Sequence, residues 1–98
     1  MKKKFLLKII CEAALEPLLA AEVEGAGGSG YTAHNVRGSG RRGERSAAME
    51  EDRNIIFQVI GSREFVDRLS LTLQNKYFQN YGMILYIHEV EVLRSEKF

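Results

Sequence analysis

Ninety-eight residues, 45% hydrophobic and 28% charged, with nine Gly, one Pro, one Cys and no Trp, make an ordinary small domain with room for one core. Fourteen basic residues against thirteen acidic ones leave a net charge of +1, which excludes a generally basic nucleic-acid binder and an acidic disordered tail. The lone Cys11 excludes an intrachain disulfide and a Cys-rich zinc site, and points to a reducing compartment, the cytoplasm. A chain this short buries only about 60 to 65% of its unfolded surface, so self-association is expected.

Residues 4–10 are rich in Phe, Leu and Ile, and their length suits a central strand buried on both faces. The run is interrupted by Lys8 and followed by Glu12 and Glu16, so it is too short and too charged for a membrane span or a secretion signal. From Ala13 the period changes. Leu15, Leu18, Leu19, Glu22, Val23 and Ala26 share one helical stripe, with Pro17 in the first turn where its missing N–H does no harm. Four glycines within residues 25–30 end that helix.

Residues 31–36 form a short strand. Residues 38–51 are polar, Gly-rich and almost without large apolar side chains, and residues 54–60 resume a strand. The segment between them is therefore the tip of an extended hairpin, and loops of this length in a small domain usually carry function. Ser62 caps a second helix whose apolar stripe is Phe65, Leu69, Thr72, Leu73 and Tyr77, ending near Gln79. Asn80, Tyr81 and Gly82 make a turn, and residues 83–92 make a long last strand. The order βαββαβ predicts an α+β, ferredoxin-like fold: a four-stranded antiparallel sheet with both helices on one face. The bare face needs a cover, and another copy of the chain, in a homotrimer or other homo-oligomer, supplies it.

Chemistry concentrates between Gly30 and Arg45. A strand runs there into the turn Gly38-Ser39-Gly40, with Arg37, Arg41, Arg42 and Arg45 around it. Glycines let backbone amides face an anion, and guanidinium forks bind phosphate or carboxylate oxygens in pairs. The same four arginines also suit a solvated loop.

Gly30, Thr32, Val36, Gly38, Gly40, Arg41 and Gly43 stand at the spacing of the segment leading into the T-loop of PII signalling proteins, which the chain resembles over essentially its whole length. Gly30-Tyr31-Thr32, Asn35, Arg42, Arg45, Lys76-Tyr77-Phe78, Tyr81 and residues 84–87 are similar to the PII-like branch associated with bicarbonate transporters and carboxysomes. The resemblance implies a single domain over residues 1–98 with a T-loop over 38–53. It implies a trimer that binds adenine nucleotides in clefts between subunits and signals to a protein partner such as a bicarbonate transporter.

Carried over, Gly38, Ser39 and Gly40 would bring backbone amides to the nucleotide, and Arg42 and Arg45 would hold phosphate. Tyr81, Gly82 and Met83 would form the B-loop. Arg94 would be the first of two C-terminal basic residues aimed at the adjacent site, where the second position is here Glu96. The Gly-Asp-Gly-Lys run of PII proteins is absent from the B-loop, so AMP, ADP or cyclic AMP fits better than a triphosphate. Arg42 stands where PII proteins carry the glutamine that positions 2-oxoglutarate, which favours bicarbonate as the second ligand. No tyrosine lies between Gly38 and Asn54 to accept a nucleotidyl group, and Ser46 is a weak phosphorylation candidate. The chain ends Glu96-Lys97-Phe98 where some transporter-associated members carry a Cys-Gly-Pro-Glu-Gly-Cys tail, which favours the carboxysome-associated branch.

Other readings find less. His34 and His88 lie on separate strands without placed carboxylates, so neither a divalent-cation trimer nor any metal site is expected. Cys11 reads as core, Glu89 and Glu91 as a half-solvated strand, and Tyr77, Phe78 and Tyr81 as packing; no catalytic group and no cofactor beyond the regulatory ligands is expected. A nucleic-acid surface built on the arginines would need exposed aromatics on the sheet and strong salt dependence.

Overall fold

The computed structural model describes residues 2–38 and 53–98. Strand β1 is Lys2–Glu12, followed by a 3₁₀ turn at Ala13–Leu15 and helix α1 at Glu16–Gly25. Strands β2 (Thr32–Val36) and β3 (Asn54–Gly61), helix α2 (Arg63–Tyr77) and strand β4 (Ile84–Val92) complete the βαββαβ order, and a short 3₁₀ turn covers Ser95–Lys97. The sheet order is β2-β3-β1-β4, with every neighbouring pair antiparallel.

Period-2 alternation decides what is buried. Leu7, Ile9 and Cys11 of β1 and Ile55, Phe57 and Val59 of β3 face the helices and are at most 3% exposed. Against them pack Leu15, Leu19 and Val23 from the first helical segment and Phe65, Val66, Leu69, Leu73 and Tyr77 from the second. Each of the large ones contributes about 1.5–3 kcal/mol by leaving water. Helix α2 begins where Ser62 accepts the Phe65 N–H at 3.0 Å, with Glu64 in its first turn.

Four expectations need correction. The first strand extends to both sides of residues 4–10, because Lys2 and Lys3 pair with Val92 and Glu91 on β4 and backbone pairing overrides the low strand propensity of lysine. It is buried on one face only: Leu6, Lys8 and Ile10 are half-buried on the other. Leu18 does not belong to the buried stripe and is 49% exposed. Leu15, Leu19 and Val23 recur every fourth residue, so the buried stripe of α1 is narrow and a residue about 100° away clears it. The second helix ends at Tyr77 rather than near Gln79, where turn hydrogen bonds from the Asn80 and Tyr81 amides to the Tyr77 carbonyl replace the helical pattern.

Among the described residues no helix covers the second sheet face. Leu6, Ile10, Ile56, Ile60, Ile84 and Tyr86 share it by register, and Ile84 and Tyr86 are exposed. Lys8 sets its ammonium 5.9 Å from the Tyr86 ring centre, and Tyr86 meets His88 edge-on at 5.3 Å.

Candidate functional site

Register sorts the candidate residues into two groups. Val36 pairs with Asn54, Asn54 with Glu12, and Ile10 with Ile84. The end of β2, the start of β3, the end of β1 and the start of β4 therefore lie together at one end of the sheet. Gly38, two residues past β2, and Tyr81, Gly82 and Met83, just before β4, belong to this end. They leave from opposite edges of the sheet, about 14 Å apart across three strand spacings. The Arg53 carbonyl accepts the Ala13 amide at 2.7 Å, which fixes the entry of β3 against the start of the first helical segment.

The side chains at this end are already committed. Met83 is 6% exposed and belongs to the core, so only its backbone is available to a ligand. Tyr81 is half-buried and tilts against Tyr77 with ring centres 5.9 Å apart. Among the described residues, no atom beyond its chain neighbours lies within 4 Å of where a Cβ on Gly38 would stand. Ser39, Gly40, Arg42 and Arg45 lie outside the described residues.

Arg94 sits at the other end. Val92 pairs with Lys2 at the far tip of β4, a strand of nine residues that spans about 30 Å. Here the segment 27–31 turns tightly against the core. Gly27 takes φ +91°, which favours glycine. A Cβ on Gly28 would stand 2.6 Å from Val23 Cγ1 and 2.8 Å from Phe65 Cζ. Tyr31 then stacks on Phe57, with ring centres 4.3 Å apart and planes 15° apart, and its hydroxyl donates to Glu16 Oε2 at 3.0 Å. That hydrogen bond to a carboxylate raises the Tyr31 phenol above its ordinary pKa.

Residues 93–98 cross beneath the same end, where Ser29 Oγ donates to the Lys97 carbonyl at 3.0 Å. Two cavities open beside this crossing. One, of about 360 Å³, is walled by Leu6, Tyr31, Thr32, Gln58, Ile60 and Phe98. The other, of about 310 Å³, has Ser29, Ser62, Arg68, Glu96 and Lys97 in its wall. Sequence reasoning names Arg94, Glu96 and the Gly30-Tyr31-Thr32 segment at this end but does not find the two cavities there. The glycine run and the exposed aromatic at Tyr31 are their only local signals, because the cavity walls come from residues as far apart as 6, 31, 58 and 98.

The remaining titratable groups fit structural roles. Burial, then the charges of Glu12 and Glu16, push the Cys11 thiol from 9.0 up to about 12, so it stays protonated at neutral pH. Lys76 donates to Glu22 at 2.8 Å, and Glu89 pairs with Lys3 at 3.2 Å. Among the described residues no group of three or more His, Cys, Asp and Glu could hold a metal ion, and no helix is long and apolar enough to cross a membrane.

The βαββαβ order and the four-stranded antiparallel sheet define an α+β domain of the ferredoxin-like class. The chain belongs to the family of nitrogen regulatory protein P-II, whose profile matches residues 4–97. Among solved structures it is similar to a PII-like signaling protein from Thermus thermophilus, at 40% identity and TM-score 0.83, covering 98% of this chain and 95% of that one. It is also similar to CPII from Thiomonas intermedia bound to ADP and bicarbonate, at 26% identity and TM-score 0.85 over 99% of this chain and 95% of that one. The same protein bound to ADP, AMP and acetate matches at 27% identity and TM-score 0.79, over 100% of this chain and 98% of that one.

Proposed function

We propose that this chain is a PII-like regulatory protein, without enzymatic activity, that binds AMP or ADP, or cyclic AMP, in clefts between the subunits of a homotrimer. The observation that carries this reading is the separation of the candidate residues. Gly38 and Gly82 lie at one end of the sheet, and Arg94, past the far tip of β4, lies about 30 Å away at the other. A nucleotide is far shorter than that. A site using both groups therefore takes one end from each of two copies, which is the arrangement expected of a closed head-to-tail ring. The bare sheet face, with Ile84 and Tyr86 exposed, supports self-association.

In this reading Gly38, Ser39 and Gly40 offer backbone amides, Arg42 and Arg45 bind phosphate, and Tyr81, Gly82 and Met83 contribute their turn. Arg94 reaches in from the neighbour. The apolar cavity beside Tyr31 and Thr32 takes the base. Bicarbonate is the second ligand, held by an arginine fork of the 38–53 T-loop; the kinship with CPII bound to ADP and bicarbonate supports this pairing. Ligand binding orders the T-loop and changes the surface offered to a cytoplasmic partner in inorganic-carbon uptake or a carboxysome. No nucleic acid and no membrane insertion takes part.

Calorimetry of the intact oligomer with AMP, ADP, ATP and cyclic AMP, each with and without bicarbonate, tests the proposal. Saturable micromolar binding of an adenine nucleotide that bicarbonate shifts is the expected result. A well-folded oligomer that binds none of the four contradicts it.

A further inference from the structure

The tail holds a carboxylate that the functional reading leaves without a role. Ser29 pins the Lys97 carbonyl at 3.0 Å, and the turn over Ser95–Lys97 then places Glu96 in the wall of the 310 Å³ cavity with Arg68 and Lys97. Glu96 is the one acid among the residues lining that cavity. Its Oε2 lies 3.7 Å from Nε of Arg94, with both side chains about seven-tenths exposed. So exposed a pair does little for folding. Its effect on a ligand is different, because it sets a negative charge beside the Arg94 guanidinium.

The two cavities share Ser29, Ile60, Lys97 and Phe98. A ligand with its flat apolar part in the first therefore has its anionic part in the second, among Arg68, Lys97 and Glu96, with Arg94 3.7 Å from the Glu96 carboxylate. We propose that Glu96 is a specificity residue that limits the number of phosphates on the bound nucleotide. The inference rests on the adenine-nucleotide reading above and adds the residue that grades nucleotides within it. Each added phosphate brings more negative charge towards the Glu96 carboxylate, and at solvent-screened distances of several ångströms each such charge lowers affinity about threefold.

The test compares the intact oligomers of wild type, Glu96→Gln, Arg94→Ala and the double variant, titrated with AMP, ADP and ATP at low and high salt. Glu96→Gln is isosteric and exposed, and retention of the oligomer is checked by sedimentation. The expected result is a gain in affinity that grows with phosphate number, so that the ATP to AMP affinity ratio rises at least fivefold. That gain shrinks at high salt and vanishes when Arg94 is also replaced. Wild-type binding of AMP combined with an unchanged ratio in Glu96→Gln overturns the role of Glu96 and leaves the nucleotide reading standing. A gain that persists without Arg94 overturns the pairing mechanism. Wild type that binds no adenine nucleotide overturns the functional reading, and this inference with it.

Discussion

The two ends of the sheet are built by opposite means. At the end holding Gly28, Tyr31 and the tail, backbone turns are pressed onto core side chains: Tyr31 lies on Phe57, and Gly28 fits under Val23 and Phe65 with no room for a methyl group. At the end holding Gly38, no atom of the described residues beyond the chain neighbours comes within 4 Å of a Cβ added there. One end is a shaped wall and the other is a point of departure for a polar loop.

The largest effect should come from the residue that anchors the wall. Phe57→Ala removes a fully buried ring and should cost about 3–5 kcal/mol, read by denaturant unfolding, with the Tyr31 stack lost as well. The same substitution made at both ends sharpens the contrast. Gly28→Ala overpacks the site and should cost about 1–3 kcal/mol, whereas Gly38→Ala should change stability by less than about 0.5 kcal/mol. Equal costs at the two positions would erase the distinction. Ser62→Ala, which removes the cap of α2, should cost about 1 kcal/mol in the same assay.

The alkaline limb of stability gives a smaller effect. The Cys11 thiol loses its proton near pH 9.0 when unfolded and near 12 when folded. Between those values the unfolded chain holds fewer protons, so stability is fully present below pH 9.0 and falls as pH rises towards 12. Tyr77, raised chiefly by burial, adds to the fall in the same direction. In Cys11→Ala the decline from its own value at neutral pH should be shallower. An unchanged slope would remove Cys11 as its source.

Much of this fold is legible in the chain because alternation and helical periodicity report burial directly. Ile55, Phe57 and Val59 alternate as the register requires, Ser62 caps where it stands, and Phe65, Leu69, Leu73 and Tyr77 form the buried stripe. Leu18 misleads because a leucine at the right angle on a helical wheel carries no information about how wide the contact with the sheet is. Lys2 and Lys3 mislead because pairing with β4 is a property of two distant segments. The loop end is legible as glycines and arginines in sequence. The cavity end is not, since its walls meet only after β1, β3 and the tail have come together. Met83 stands out in the sequence for its place in a turn, while its side chain goes to the core.

The central claim is that one site draws opposite ends from two copies, and mixed oligomers test it most directly. Arg42→Ala/Arg45→Ala disables one end and Arg94→Asp the other, and each pure oligomer should lose at least tenfold in nucleotide affinity. Unfolding the two variants together and refolding them as an equal mixture should restore high-affinity binding at roughly one quarter of the sites, the share in which an intact end of each kind meets. Mixed oligomers with no restored site would place the whole site within one chain and contradict the account.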